Sequence, residues 1–315
     1  MASGERILVI KLGALGDFVL STGPFKAIRA HHPSARITLL TIPSLAKLGE
    51  ASGWFDEVWT DQRPSLLNLP GWLALARKLN GGKFSRVYDL QTSDRSGFYF
   101  RLMSPPFATR PEWSGIAKGA SHPHANPNRD DLHTIERHKE QLAAAGIADV
   151  PPPDLSWAKA DLSRFDLPAS YALLVPGGSA HRPEKRWPAT HYAELARRLV
   201  AIGTAPVLLG ASAERAELAT IAAACPGARD LCGQTNFAEI IALARSARFA
   251  VGNDTGPMHL VAAAGCPTVS LFSYASDPAL CAPRSPAGES VVVLRRTDLA
   301  TLMPDEVLAA LPATI

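Results

Sequence analysis

Short apolar runs alternate with segments of helical periodicity along most of this chain. The first run, Arg6–Leu12, is typical of a strand buried on both faces of a parallel sheet. A glycine turn and a helical stretch follow it, and the same sequence of signals then recurs. Strands separated by helices in this way predict an α/β fold with doubly wound sheets.

The alternation occurs in two blocks. Predicted strands are Arg6–Leu12, Ile37–Leu40, Phe55–Trp59 and Arg86–Leu90 in the first block, and Tyr171–Val175, Pro206–Leu209, Phe249–Val251 and Thr268–Phe272 in the second. Predicted helices include Phe25–Arg29, Trp72–Leu79, Thr134–Ala145, His191–Ala201, Ala213–Ala224, Asn236–Arg245, Met258–Ala264 and Asp305–Leu311. Residues 105–128 have no sustained period and predict a long surface loop. The proline-rich stretch Pro151–Trp157 is typical of an interdomain connection.

Two blocks of similar size predict two Rossmann-like domains, residues 1–155 and 156–315, facing a central cleft. We expect the ligand to bind where the carboxyl ends of the two sheets meet. The last helix is compatible with packing on either domain, including back on the first.

Composition narrows the class of protein. The 315 residues are 47% hydrophobic and 19% charged, enough for a sizeable core, and the net charge of +3 does not call for a nucleic-acid partner. Four cysteines without a CxxC pair predict reduced thiols in a cytosolic protein. No apolar run is long enough to span a membrane. We therefore expect a cytoplasmic protein with at most a peripheral contact at the inner face of the cytoplasmic membrane.

Three segments combine turn residues with chemically useful side chains. The first is KLGALGD (Lys11–Asp17), a strand end, a glycine turn and the start of a helix. Its G-x-x-G spacing does not match the dinucleotide fingerprint, and the P-loop lysine is absent. Asp17 has two interpretations that the spacing leaves open. It is either a first-turn aspartate stabilised by the helix dipole, or a general base at the edge of the sheet.

The second segment is PGGSAHRPEKRWP (Pro176–Pro188). Gly177 and Gly178 allow the backbone to pass close to a ligand with exposed amides, and Ser179 and Lys185 lie in the same loop. Amide groups with a point charge are the parts of a phosphate-binding loop. The alternative is a solvated loop whose basic residues have no ligand.

The third segment is DTGPMH (Asp254–His259), between a strand and a helix. An anion in front of this helix would gain from the helix dipole and the free amides, and Gly256 leaves room for a ligand. His259 lies one turn into the helix. As a lone histidine it would more often be structural, but together with Asp254, Thr255 and Gly256 it favours a binding site.

In this order and at these places, LGD (Leu15–Asp17), PGGS…KRWP (Pro176–Pro188) and DTGPMH (Asp254–His259) resemble the motifs of glycosyltransferase family nine, the ADP-heptose:lipopolysaccharide heptosyltransferases. The resemblance covers nearly the whole chain. It implies a GT-B fold with an N-terminal acceptor domain and a C-terminal donor domain. Residues 105–128 match no family pattern, so the acceptor sugar is left open, and so is the exact donor sugar.

The resemblance also implies residue roles. Asp17 matches the catalytic base. The acceptor side gives no comparable match to the family, and we place Lys11 and Gly16 there from their position beside Asp17. The residues that match the donor site are Gly178, Ser179, Lys185, Glu214, Asp254, Thr255, Gly256 and His259. No metal ligand and no cofactor is implied.

The function expected from this resemblance is an inverting, metal-independent transfer of heptose from ADP-heptose to a lipopolysaccharide core or related glycan. Two alternatives stay open. One is another enzyme of the same fold, such as an epimerase or a transferase with a different nucleotide sugar or a protein acceptor. The other is a noncatalytic nucleotide- or glycan-binding protein.

Overall fold

The computed structural model describes residues 4–103, 110–179, 181–289 and 291–311. The chain divides into two compact units, Met1–Pro151 and Pro152–Ile315. Each unit has a parallel sheet and a hydrophobic core of its own. The predicted fold class, an α/β protein with two doubly wound units, is confirmed.

The first unit has six parallel strands among its described residues, in the order β3-β2-β1-β4-β5-β6. They are β1 (Arg6–Ile10), β2 (Arg36–Thr41), β3 (Glu57–Thr60), β4 (Arg86–Asp89), β5 (Glu112–Gly115) and β6 (His122–Pro123). The helices are α1 (Leu15–Leu20), α2 (Thr22–His31), α3 (Pro43–Ala51), α4 (Leu69–Gly81), α5 (Asp94–Leu102) and α6 (Thr134–Ala144). In the central pair, Ile10 at the end of β1 is in register with Asp89 at the end of β4.

The second unit repeats this arrangement, in the order β12-β11-β10-β7-β8-β9. Its strands are β7 (Tyr171–Val175), β8 (Ala205–Leu208), β9 (Arg229–Asp230), β10 (Ala250–Asn253), β11 (Thr268–Phe272) and β12 (Val292–Arg295). The helices are α7 (Ala189–Ala201), α8 (Arg215–Ala224), α9 (Phe237–Ser246), α10 (Gly256–Ala263), α11 (Pro278–Cys281) and α12 (Pro304–Ala309). In both sheets the chain reverses its direction of strand addition beside the first strand. This switch point, between β1 and β4 and between β7 and β10, is where doubly wound sheets bind ligands.

Apolar periodicity explains how the helices of the second unit pack. Helix α7 buries Tyr192, Leu195, Ala196 and Leu199, which recur at the spacing of one helical face. Trp187, just before α7, is 1% exposed and donates its indole N–H to the carbonyl of Leu302 at 2.8 Å. The last helix, α12, packs against α7.

Some predicted bounds are wrong. The first strand ends at Ile10, two residues before the predicted Leu12, because the chain turns towards the glycines there. Within the predicted loop 105–128, the described part contains the short strands β5 and β6, whose few residues are too short to show a period. Residues 105–109 of that loop lie outside the described residues. Helices α3 and α5 are not predicted, since each begins within a polar or proline-containing segment.

Candidate functional site

The switch point of the second unit is held together by one buried asparagine. Asn253, the last residue of β10, donates from Nδ2 to the carbonyls of Pro176 at 2.7 Å and Gly177 at 3.2 Å. Its Oδ1 accepts from the amide of Trp187 at 3.0 Å and from the hydroxyl of Tyr192 at 3.1 Å. Asn253 therefore fixes both ends of the PGGS…KRWP loop against the end of β10. Sequence reasoning missed it, although a polar residue closing an apolar strand immediately before DTG was a usable signal.

Lys185 and Asp254 form an ion pair at this edge of the sheet. Lys185 ends a short 3-10 turn, Pro183–Lys185, and its Nζ lies 2.6 Å from Asp254 Oδ2. Both side chains are mostly buried, with 13% and 8% exposure respectively. Ser276 Oγ donates to the same carboxylate oxygen at 2.5 Å. The residues come together because β7 and β10 are adjacent in the sheet, although 69 positions separate them in the chain.

Glu214 shapes the glycine turn. Its Oε1 accepts from the amide of Gly178 at 2.7 Å, and its Oε2 accepts from the amide of Ala211 at 2.8 Å. A side chain at Gly177 would overlap this carboxylate and displace Glu214 from its two hydrogen bonds. The expectation of exposed amides is corrected at Gly178, whose N–H is already bound to Glu214. The predicted role of Glu214 near a nucleoside stays a prediction.

The remaining predicted donor residues lie around this pair. Ser179 is exposed in the loop, and Thr255 is the residue before α10. Gly256 begins that helix and is partly exposed, so the first turn of α10 is accessible at its amide end. His259 lies in the same helix but is only 5% exposed. The predicted donor residues are thus brought to one edge of the second sheet, with His259 the most enclosed of them.

The switch point of the first unit contains a cavity of about 210 Å³. It is lined by Lys11, Asp17, Leu90, Gln91, Thr92, Arg129, Asp130, Thr134, Arg137, His138 and Gln141. Lys11 follows β1 and Gln91 follows β4, so the cavity lies where the carboxyl ends of the two central strands meet. Lys11 and Asp17, both predicted from sequence, share it. Gly16 is buried within α1.

Asp17 lies in the first turn of α1 and is partly exposed. Its Oδ2 accepts a long hydrogen bond, 3.3 Å, from the amide of Ala14. The first-turn contact of the structural interpretation is therefore present. This weak hydrogen bond involves only one carboxylate oxygen of Asp17, and the side chain also lines the cavity. The two interpretations are compatible in this geometry.

Burial perturbs the ionisation of the charged groups beside the cavity. Lys11 is 4% exposed and donates to the carbonyl of Leu90 at 3.0 Å. Burial lowers its pKa, while the negative charges of Asp17 and Asp89 act in the opposite direction. Asp89 is fully buried, and burial raises its pKa to about 6 despite hydrogen bonds from the amides of Thr92 and Gln91. Burial also holds the pKa of His138 well below its usual value.

Several residues of this cavity were missed from sequence. Arg129, Arg137, His138 and Gln141 come from the segment after the irregular stretch, which shows no pattern connecting it with β1. The carboxyl end of β4 gave a signal that was not used, since Asp89 and Gln91 flank the end of an apolar strand. Across the described ranges, no group of three or more His, Cys, Asp or Glu side chains is arranged to hold a metal ion. No described helix is both long and apolar enough to cross a membrane.

Comparison with known proteins gives consistent matches. The model of glycosyltransferase family 9 (heptosyltransferase) matches residues 72–303. Lipopolysaccharide heptosyltransferase 2 of Salmonella typhimurium is 26% identical over 299 residues, which cover 86% of this chain and 83% of that protein. Lipopolysaccharide heptosyltransferase 1 of Pseudomonas aeruginosa is 27% identical over 297 residues, covering 85% and 78% respectively.

Solved structures match along nearly the whole chain. A family 9 glycosyl transferase from Veillonella parvula superposes with a TM-score of 0.81 at 21% identity, covering 97% of this chain and 95% of that one. The E. coli heptosyltransferase WaaC, solved with ADP-2-deoxy-2-fluoro heptose, gives 0.75 at 21% identity, with coverage of 96% and 98%. At these identities the structures establish the two-unit fold.

Proposed function

Since this chain belongs to glycosyltransferase family 9, the heptosyltransferase family, it is a glycosyltransferase, and we propose that it moves a heptose from ADP-heptose to a lipopolysaccharide core. We further propose that the reaction inverts the anomeric centre and needs no metal ion. The named relatives that act on lipopolysaccharide support this acceptor class. The bound ADP-heptose analogue in WaaC supports the donor.

The observation that carries the donor assignment is the Lys185–Asp254 pair at the switch point of the second sheet. A lysine ammonium is a compact point charge suited to a diphosphate, and the amide end of α10 adds positive potential beside it. A carboxylate repels phosphate but accepts hydrogen bonds from hydroxyl groups. We therefore assign Lys185 to the diphosphate and Asp254 to the sugar or ribose hydroxyls.

The proposed donor site also includes Gly178, Ser179, Glu214, Thr255, Gly256 and His259. Glu214 acts on it through the backbone, because its two hydrogen bonds hold the turn at Gly178 and the segment at Ala211. Ser179 is exposed in the same loop and is available to a ligand. Gly256 leaves the first turn of α10 uncovered.

We assign Asp17 as the general base and the first-unit cavity to the acceptor, with Lys11 on its wall. The acceptor hydroxyl oxygen forms a bond to the anomeric carbon, and its proton passes to Asp17. The bond from the anomeric carbon to the phosphate oxygen breaks, and ADP leaves with the electron pair. Attack opposite the leaving group inverts the configuration. Lys185 stabilises the charge that develops on the diphosphate, which is a preorganised electrostatic contribution.

The reaction is proposed to occur in the cytoplasm. None of the four cysteines is in a disulfide, which is usual in a reducing compartment; they are Cys225, Cys232, Cys266 and Cys281. The acceptor would then be reached at the inner face of the cytoplasmic membrane.

Mass spectrometry of a heptose-deficient lipopolysaccharide core tests the proposal. With ADP-heptose, the acceptor should gain one heptose, and one ADP should be released for each transfer. A UDP-hexose serves as the control donor and should give no product. Release of ADP without a change in acceptor mass, or equal transfer from the UDP-sugar, would contradict the proposed function.

A further inference from the structure

Exposed apolar side chains cluster on one surface of the first unit. Of the eleven large hydrophobic side chains that are exposed within the described ranges, five lie between residues 66 and 98. These are Leu66, Leu67, Leu69, Leu73 and Phe98, with exposures of 86%, 93%, 68%, 56% and 38%. Monomeric soluble proteins rarely expose large contiguous apolar patches unless they bind something there. We call these five residues the leucine surface.

Three residues of the leucine surface share one cavity, and the helix that carries part of the surface is packed against the core. Leu66, Leu69 and Phe98 line one shallow cavity of about 450 Å³, together with Trp72. The Trp72 and Phe98 rings make an edge contact with centroids 5.0 Å apart. In α4, Leu69 and Leu73 are four residues apart and lie on its outward side, while Leu75 and Leu79 are buried beneath. The outward leucines are therefore presented by a helix whose other side is fixed in the core.

The charge around this surface is mostly positive. Residues 62–81 contain Arg63, Arg77 and Lys78 and no Asp or Glu, and α5 adds Arg95 and Arg101 against Asp94 alone. The net charge of these five cations and one acid is larger than the net charge of the whole chain, which is +3. A helix with leucines and a tryptophan beside arginine and lysine is the composition that lies in the interface of an anionic bilayer.

Charge also argues against a second copy of the chain as the partner. A symmetric contact through the leucine surface would bring the cations of both copies together. An anionic lipid surface satisfies both the apolar side chains and the cations.

The leucine surface is tied to the edge of the sheet where the acceptor is proposed to bind. Arg63 donates from Nη2 to the carbonyl of Leu12 at 3.0 Å, and Arg95 donates to the carbonyl of Pro64 at 3.0 Å. Leu12 lies in the segment that carries Lys11 and Asp17. A bilayer contacting the leucine surface would thus lie beside the first-unit cavity.

From this geometry we infer that the leucine surface docks the enzyme on an anionic lipid bilayer and thereby presents a membrane-embedded, lipid-linked acceptor to the first-unit cavity. The second half of this inference rests on the proposed function, and the first half does not.

Vesicle binding of the full chain tests the docking. Wild type should cosediment with vesicles of phosphatidylethanolamine and phosphatidylglycerol, and much less with phosphatidylcholine. The variant Leu66→Ser/Leu67→Ser/Leu73→Ser should bind the anionic vesicles with an affinity at least about tenfold lower than that of wild type, because apolar area drives insertion. The matched control is Val200→Ser/Ile202→Ser/Val292→Ser, three exposed apolar residues of the second unit, and it should bind within about twofold of wild type.

The charge contribution has its own pair of variants. Arg77→Gln/Arg101→Gln should weaken binding to the anionic vesicles by about tenfold or more at low salt, since each cation near such a surface is worth about fivefold. Lys47→Gln/Lys159→Gln removes the same charge elsewhere and should have no such effect. The docking would be overturned if wild type failed to bind anionic vesicles. It would also be overturned if the leucine variant and its valine and isoleucine control lost the same amount of binding. A third contradicting result would be a wild type that is a dimer and binds no vesicles, together with a leucine variant that is a monomer.

Turnover separates this inference from the proposed function. With a deacylated, water-soluble core oligosaccharide, the leucine variant should transfer as wild type does. With the acylated acceptor in anionic vesicles, its rate should fall with its binding. Loss of turnover on the soluble acceptor as well would make the leucine surface part of the acceptor site and overturn the docking role. Absence of transfer in wild type with every acceptor would refute the proposed function and leave the vesicle result standing.

Discussion

At the carboxyl edge of the first sheet, Lys11 lines a cavity and Asp89 is fully buried at the end of β4, and burial shifts the pKa of each away from its usual value. At the same edge of the second sheet, Lys185 and Asp254 lie against each other in an ion pair of 2.6 Å. Both edges are built by one strand order, so topology does not cause the difference. The first edge has a cavity beside Asp17, the proposed base, whereas the second edge is held in place by an ion pair and hydrogen bonds, which suits the proposed orientation of the donor.

The largest effect is expected at the first edge. Asp17→Asn should lower turnover by about 10²–10⁴-fold, the usual contribution of a general base. Folding and donor affinity should change little, since asparagine can accept the hydrogen bond from Ala14. Steady-state kinetics with ADP-heptose, alongside calorimetry with ADP, measures both.

Asp94→Asn is the matched control, because Asp94 is also an acid in the first turn of a helix, α5. It should leave turnover unchanged. Comparable turnover in Asp17→Asn and wild type would mean that Asp17 only stabilises the first turn of its helix. The proposed catalytic role of the first edge would then be wrong.

At the second edge, Lys185→Ala should weaken ADP binding by about 1.5–3 kcal/mol, the scale of a charge-assisted hydrogen bond. Asp254→Ala should reduce affinity for ADP-heptose more than for ADP, because its carboxylate is assigned to hydroxyl groups. Calorimetry with both ligands decides between these outcomes.

The double variant Lys185→Ala/Asp254→Ala is needed because the two side chains are paired in the structure. Lys185→Ala alone leaves a carboxylate without its cation beside the diphosphate, so part of its cost is repulsion. The double variant should bind ADP better than Lys185→Ala does. Wild-type ADP affinity in Lys185→Ala would remove the donor site from this edge.

A smaller effect is expected from Asp89. Its folded-state pKa of about 6 is above the ordinary value of 3.8. The stability that this group contributes is therefore present below about pH 4 and is lost as the pH rises through about 6, a loss of about 1–3 kcal/mol. Asp89→Asn should lack that loss. Urea unfolding at about pH 4.5 and about pH 7.5 measures it, with the exposed Asp149→Asn as control. An equal pH dependence in Asp89→Asn and wild type would contradict the assignment.

The smallest effect is expected from chelation. EDTA should change the transfer rate by no more than about twofold, because Lys185 and the amide end of α10 are proposed to supply the positive charge. A large loss that magnesium or manganese restores would contradict the proposed second edge.

The sequence predicts the fold better than it predicts the site. A strong apolar periodicity, such as that of α7, allows a helix to be predicted, whereas β5 and β6 are too short to show any periodicity. Gly177 and Lys185 are recognisable in one loop, but their partners are distant in the chain. Lys185 meets Asp254 only because β7 and β10 are neighbours, and Glu214 reaches the amide of Gly178 from 36 residues away. The cavity wall from Arg129 to Gln141 depends on how α6 returns to β1, which no local pattern encodes.

Hydrogen exchange followed by mass spectrometry tests most directly the claim that the two edges divide the work. ADP should slow exchange of backbone amides in residues 176–187 and 253–259 of the second unit, and leave residues 89–94 and 129–138 of the first unit unchanged. A soluble core oligosaccharide should protect the first-unit segments instead. Protection of the first-unit segments by ADP, with no change around Lys185 and Asp254, would contradict the account.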